Sequence, residues 1–278
     1  MTRVPSLVLA AVILAAVPPR LIGQSDGAPA ECDANQSANC ARLGFYFDRA
    51  EGLTPLQAIS YYSRDPDSLR TECDRSVIPA CTSLGQHYQR GEGVRQDGQT
   101  AAALFQRSCE LGSGQGCALR ADLYRRGAEV PINLSLAVAV FRQACSMQNG
   151  GACLSLGQMQ QSGEGTQPDI RVAVLSFSQG CELGWASSCL AAGQIYGVAN
   201  AVGINYPQAA AAYRRACNLL NTAGCILLGN MYRNGSGFTI DVEQTRVLYR
   251  KACDLGSSDG CNLWAALQQS NPQPGYRN

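Results

Sequence analysis

Lysine and histidine are almost missing from this chain: among 278 residues there is one of each, Lys251 and His87. A hydrolytic zinc centre draws several ligands from His, Asp and Cys, so a single histidine argues against a histidine-built metal site. An excess of charge is missing too, with 22 basic against 21 acidic side chains. Bulk electrostatics therefore steers the protein toward neither nucleic acid nor an anionic membrane. No Cys-x-x-Cys occurs, which removes the usual signature of a dithiol redox centre. A long apolar run is also lacking. The longest, Leu7 to Val17, has eleven residues, whereas a bilayer-spanning helix needs about 20.

That short run, behind Arg3, has the form of a signal-peptide core. An uncleaved anchor is the other reading, and nothing apolar extends the run far enough to favour it. Residues 1–30 are therefore expected to be a signal peptide cleaved within about 23–30. Leu21-Ile22-Gly23 has a poor residue at −3, and Ala28-Pro29-Ala30 has small residues around a proline. No lipobox precedes Cys32. Export agrees with the fourteen cysteines, an even number and too many for an ordinary cytosolic chain.

The cysteines organise everything else. They fall in pairs of the form Cys-x7-Cys, at 32/40, 73/81, 109/117, 145/153, 181/189, 217/225 and 253/261. From Cys73 to Cys109 is 36 residues, and the same step leads to Cys145, Cys181, Cys217 and Cys253. A fixed period of that size marks a stacked helical-repeat architecture. Taking the second cysteine of each pair as position zero, +4 is Gly85, Ala121, Gly157, Gly193 and Gly229, and +7 is Tyr88, Tyr124, Gln160, Tyr196 and Tyr232. With the residues at 0 and +3, these form one stripe of a helix, here called A, whose small +4 residue admits a close neighbour.

Glycines then break the helix, as in Gly91-Glu92-Gly93, Gly163-Glu164-Gly165 and Gly235-Ser236-Gly237. Asp97, Asn133, Asp169, Asn205 and Asp241 at +16 are N-cap residues for a second helix, B. Helix B carries Ala101, Ala137, Ala173, Ala209 and Thr245 at +20, and Phe105, Phe141, Phe177, Tyr213 and Tyr249 at +24. Each unit is an αα-hairpin that cannot bury its own apolar faces and must stack on its neighbours. His87, at +6 where other units have Leu123, Met159, Ile195 and Met231, is expected to be structural. The tyrosines at +7 and aromatics at +24 lie on the core stripe and are expected to pack, not to form a stacking platform.

The pattern Cys-x2-Leu-Gly-x2-Tyr, Gly-x-Gly, Ala-x3-Phe/Tyr-x3-Cys-x-Leu-Gly resembles the Sel-1-like repeat (SLR) family, a relative of the tetratricopeptide repeats. The likeness is greatest to its cysteine-rich secreted bacterial branch, the Hcp type, and covers about residues 32–267. It departs at 189–217, where Ala199-Asn200-Ala201 replaces Gly-x-Gly. The resemblance implies an all-α, right-handed α/α superhelix, a TPR/SLR-like solenoid of stacked disulfide-stapled hairpins. The implied bridges are Cys32–Cys40, Cys73–Cys81, Cys109–Cys117, Cys145–Cys153, Cys181–Cys189, Cys217–Cys225 and Cys253–Cys261. A zinc reading of the same pairs is weak, since ligands are usually two to four residues apart. Each junction, such as CELGSGQGC, is expected to hold the first cysteine in the last turn of helix B and the second in the first turn of the next helix A. Gly112 would supply φ > 0, with Cα atoms about 5.5–6 Å apart.

The expected organisation is a degenerate N-terminal capping repeat over 31–72, its second half interrupted by Asp65-Pro66-Asp67, then five full repeats over 73–260. A capping helix over 261–270 and a disordered tail over 271–278 complete it. The branch also carries a penicillin-binding or weak β-lactamase label. A serine β-lactamase needs Ser-x-x-Lys, Ser-Asp-Asn and Lys-Thr-Gly. Leu248 lies three before Lys251 and Ala252-Cys253 follows it, so neither lysine motif forms and no catalytic residue is assigned.

What remains is surface. In tetratricopeptide-like folds the helix-A stripe at +1, +5 and +8 lines a concave groove, and at +5 this chain has Gln86, Asp122, Gln158, Gln194 and Asn230. Amides donate and accept, which suits the backbone of an extended peptide. Arg90, Arg125, Arg126 and Arg233 at +8 and +9 are donors for a carboxylate such as a peptide C-terminus. The alternative, resting on the family label, is a β-lactam or peptidoglycan-fragment binding protein with weak β-lactamase activity. Since a solvated helix face is polar in any case, a scaffold without a groove ligand is a third reading. The expectation is a non-catalytic, monomeric, extracytoplasmic bacterial protein, periplasmic or secreted. It would bind peptide or protein segments, without cofactor, metal, nucleic acid or any membrane span after signal removal.

Overall fold

The structure, a computed structural model, describes residues 64–127 and 129–270. The expected signal peptide, most of the expected first repeat with its Cys32–Cys40 pairing, and the expected tail over 271–278 lie outside the described residues. Within them the chain forms twelve helices: α1 (Pro66–Asp74), α2 (Ile78–Arg90), α3 (Gly98–Glu110), α4 (Gly114–Arg126), α5 (Leu134–Ser146), α6 (Gly150–Ser162), α7 (Ile170–Glu182), α8 (Ala186–Gly197), α9 (Tyr206–Asn218), α10 (Thr222–Asn234), α11 (Val242–Asp254) and α12 (Ser258–Ser270). Even-numbered helices are A and odd-numbered are B. Each packs on the next along the chain, and A helices also meet A helices from α4 to α8. This is an α/α solenoid, with no strand among the described residues.

The capping residues sit where the period puts them. Asp97, Asn133, Asp169, Asn205 and Asp241 each accept hydrogen bonds from backbone N–H groups in the first turn of a B helix. Their own N–H groups bond to the +7 carbonyl of the same unit, for example Asp169 to Gln160 at 2.8 Å and Asn205 to Tyr196 at 2.8 Å. The Thr100 hydroxyl and N–H hold the Asp97 carboxyl below its ordinary pKa. Asp65-Pro66-Asp67, expected to interrupt the second half of the first repeat, begins a helix: Asp65 accepts from the Ser68 N–H at 2.9 Å. Pro66 at the first helical position sacrifices no intrahelical bond. The result is a B helix of 9 residues against 13 in α3.

The +24 ring fills the hairpin. Phe105, Phe141, Phe177, Tyr213 and Tyr249 are 0–6% exposed, and the rings lie across the +4 residue. A Cβ built on Gly157 would come within 2.6 Å of Phe177, and one on Gly193 within 2.6 Å of Tyr213. Glycine is there because the aromatic ring occupies the space a side chain would need.

Six bridges close the junctions, Cys73–Cys81, Cys109–Cys117, Cys145–Cys153, Cys181–Cys189, Cys217–Cys225 and Cys253–Cys261. Their Cα separations are 4.4–4.7 Å, shorter than the 5.5–6 Å expected from typical disulfides. The reason is the tightness of the reversal. At each junction one residue is left-handed: Ser76 (φ 63°) at the first and then, at +31, Gly112 (104°), Gln148 (65°), Gly184 (85°), Leu220 (63°) and Gly256 (90°). The next N–H reaches back into the preceding helix end, as in Ser113 to Ser108 and Asn149 to Ala144, closing a Schellman-type end. That next residue also caps the following A helix: Ser113, Asn149 and Asn221 accept from the third residue on. Trp185 occupies the same place and has no side-chain cap.

A device the period did not reveal ties successive B helices together. At +26, Arg107 donates to the Asp74 carbonyl at 3.1 Å, Gln179 to the Cys145 carbonyl at 3.3 Å, and Arg215 to the Glu182 carbonyl at 2.9 Å. Each reaches a carbonyl at the C-terminus of the preceding B helix, where intrahelical donors run out, although the Cys145 carbonyl also accepts from the Gln148 N–H.

Candidate functional site

The five +5 residues share a register on the A helices but meet different surroundings. Gln158 on α6 and Gln194 on α8 are exposed, and neither side chain has a hydrogen-bond partner among the described residues. α6 and α8 touch, and the two amides hold the same register on them. One turn back, at +1, lie the half-buried Leu154 and Leu190. Together they make a two-rung patch of free amides beside an apolar floor.

The other rungs are engaged. Gln86 is 1% exposed, and its Oε1 has no hydrogen-bond partner. Asn230 accepts a hydrogen bond from the Tyr249 hydroxyl at 2.5 Å. Burial raises the Tyr249 pKa, which keeps that phenol protonated and able to donate. Asp122 holds both predicted arginines of its unit, Arg125 Nη2 at 2.9 Å and Arg126 Nε at 2.8 Å. These pairs follow from helical spacing, three and four residues on. Arg90 lies 3.8 Å from Glu92, and Arg233 makes a long contact of 3.4 Å with Asn234. The nine residues therefore form no uniform ladder: two free amides, a carboxylate–diarginine cluster of net positive charge on the preceding A helix, and occupied or buried rungs beyond.

His87 is 8% exposed with Nδ1 2.7 Å from the Glu92 carbonyl oxygen, inside the turn that ends α2. Among the described residues no group of three or more His, Cys, Asp or Glu side chains converges as metal ligands. No described helix is long and apolar enough to cross a membrane.

The Sel1 repeat model matches residues 78–113, 115–149, 151–185 and 222–257, just over half of the 278-residue chain, and the chain belongs to the Sel1 repeat family. The segment between the third and fourth matches is the unit lacking Gly-x-Gly. No functionally curated protein matches the sequence. Among solved structures, the chain is similar to c5321, a protective antigen present in uropathogenic Escherichia coli strains and displaying an SLR fold. The TM-score is 0.64 with 22% identity over 86% of this chain and 52% of that one, so the chain spans about half the antigen's length. A Sel1 repeat protein from Oxalobacter formigenes gives a TM-score of 0.63 with 20% identity, over 73% of this chain and 84% of that one. Identities this low carry the fold alone.

Proposed function

We propose that this Sel1 repeat scaffold works outside the cytoplasm and holds an extended peptide or protein segment along its A-helix face, without catalysis. The observation that carries this reading is the pair of unpartnered amides, Gln158 and Gln194, over the half-buried Leu154 and Leu190. Amides on consecutive A helices can each pair with the N–H and C=O of a guest backbone, while the leucines receive its apolar side chains. Asp122, salt-bridged to Arg125 and Arg126, would border the segment and select its charge. The six disulfides support an oxidising compartment, as does the apolar run at Leu7–Val17.

The test is affinity selection from a displayed random-peptide library, followed by titration of the selected peptides. Gln158→Ala combined with Gln194→Ala is expected to weaken binding roughly tenfold, the loss of one to two net hydrogen bonds, with the melting temperature unchanged. Arg125→Ala with Arg126→Ala should shift charge preference more than affinity. Undiminished binding by the amide double variant would remove the A-helix face as the site.

A further inference from the structure

Position +7 is tyrosine in four of the five full units and Gln160 in the third. Two of those tyrosines have a defined partner on the preceding B helix, eighteen residues earlier. Arg70 Nη2 donates to the Tyr88 hydroxyl oxygen at 2.7 Å, and Arg214 Nη2 to that of Tyr232 at 3.4 Å. Arg142 stands in the same relation to Gln160. With no phenol to meet, its exposed guanidinium makes no hydrogen bond or ion pair among the described residues. At +23 the units of Tyr88 and Tyr232 have Leu104 and Leu248, those of Tyr124 and Tyr196 have Val140 and Ala212, and this one has Ser176.

Both substitutions shorten a side chain at one place. Ser176 Oγ donates to Gln160 Oε1 at 2.7 Å. Gln160 is 4% exposed, and its Nε2 donors have no partner among the described residues. What opens between α5 and α7 is a cleft of about 270 Å³, lined by Arg142, Leu156, Gln160, Val172, Leu175 and Ser176 among others, with no carboxylate in its wall. Val172 and Leu175, 41% and 66% exposed, form its apolar lips. The volume is below that of a typical small-molecule pocket and suits a single large side chain.

We propose that this cleft receives a tyrosine side chain presented by a partner polypeptide. The ring would occupy the place that the fold's own +7 tyrosine occupies in neighbouring units. Its hydroxyl would accept from Arg142, as the Tyr88 and Tyr232 hydroxyls accept from Arg70 and Arg214, and Gln160 Nε2 would donate to an adjacent carbonyl. Gln158, two residues from Gln160, projects from the opposite side of α6. The tyrosine cleft is therefore separate from the amide patch, and either can fail without the other.

The test titrates the oxidised full chain with acetyl-Gly-Tyr-Gly-amide, acetyl-Gly-Phe-Gly-amide and free p-cresol, following backbone amide resonances. Tyrosine peptide is expected to perturb α5 to α7 and to bind about tenfold more tightly than the phenylalanine peptide, because the hydrogen bond to a cation is lost with the hydroxyl. Arg142→Met should erase that preference. Gln160→Tyr, which restores the pattern of the other units, should fill the cleft and abolish binding without lowering the melting temperature. Equal affinity for the two peptides, no perturbation by either, or binding that survives Gln160→Tyr would overturn the proposal. Binding of p-cresol without the tyrosine peptide would overturn the assignment to a polypeptide partner.

Discussion

The fourth and fifth full repeats end their A helices by different means and arrive at the same geometry. In the fifth, α10 closes on Gly235 at φ 69°, whose N–H bonds the Met231 carbonyl. In the fourth, Val198 follows α8 in an extended conformation at φ −123°, and the left-handed glycine comes only later in the connection, at Gly203 (φ 84°). There the Asn200 side chain takes over. Its Nδ2 donates to the Ile195 carbonyl at 2.6 Å, and its Oδ1 accepts from the Val202 N–H at 2.8 Å. Ile195 and Met231 hold the same position, +6. Afterwards the units coincide again, with Asn205 N–H on the Tyr196 carbonyl and Asp241 N–H on that of Tyr232. What the repeat requires at this turn is a donor for the +6 carbonyl, and glycine is one way to provide it.

The comparison can be broken most severely by removing what the two units share. Reduction of the oxidised chain opens six described bridges, each closing a short loop and contributing about 2–3 kcal/mol in the chain-entropy model. Thermal melting followed by circular dichroism is expected to fall by more than about 15 °C. An unchanged curve alongside quantitative thiol detection would defeat the role of the bridges as staples.

A narrower experiment separates the two turns. Asn200→Ala leaves the Ile195 carbonyl without its donor and should cost about 1–3 kcal/mol in chemical denaturation. Ser236→Ala, at the matching place in the fifth unit where the backbone does this work, should stay within about 0.5 kcal/mol. Equal costs would show that Asn200 is dispensable. The smallest effect concerns the junctions that follow. Leu220 is left-handed at φ 63° and 52% exposed, so Leu220→Gly should stabilise by about 1 kcal/mol, little burial being lost. Gly256→Ala at the equivalent site, φ 90°, should destabilise by a similar amount, and a sign reversal in either would refute the strain.

Legibility in the sequence follows how local each interaction is. The +16 caps and the left-handed +31 position are local, and Asp97, Asn205, Gly112 and Gly184 sit as their types require. The helix start at Asp65-Pro66-Asp67 is local too, Asp followed by Pro being a helix-start signal, although the first unit departs from the 36-residue step. Asp122, Arg125 and Arg126 are also local, and their i,i+3 and i,i+4 spacing was a sign that the carboxylate would hold the arginines before any partner could. The uneven availability of the +5 residues was not legible. Whether Gln86 is buried or Gln158 is open depends on what lies across the helix, and identical register says nothing of that.

By itself the sequence determined the unit, the helix boundaries, the cysteine pairing and the buried aromatic stripe, because each is set by spacing within 36 residues. Only the tertiary structure decided which amides stay free, that +26 donors clamp the preceding B helix, and that Arg142 faces a cleft where a tyrosine would otherwise lie. Those outcomes come from groups that meet only after the hairpins stack, so they rest on the fit between neighbouring units and not on the pattern inside one.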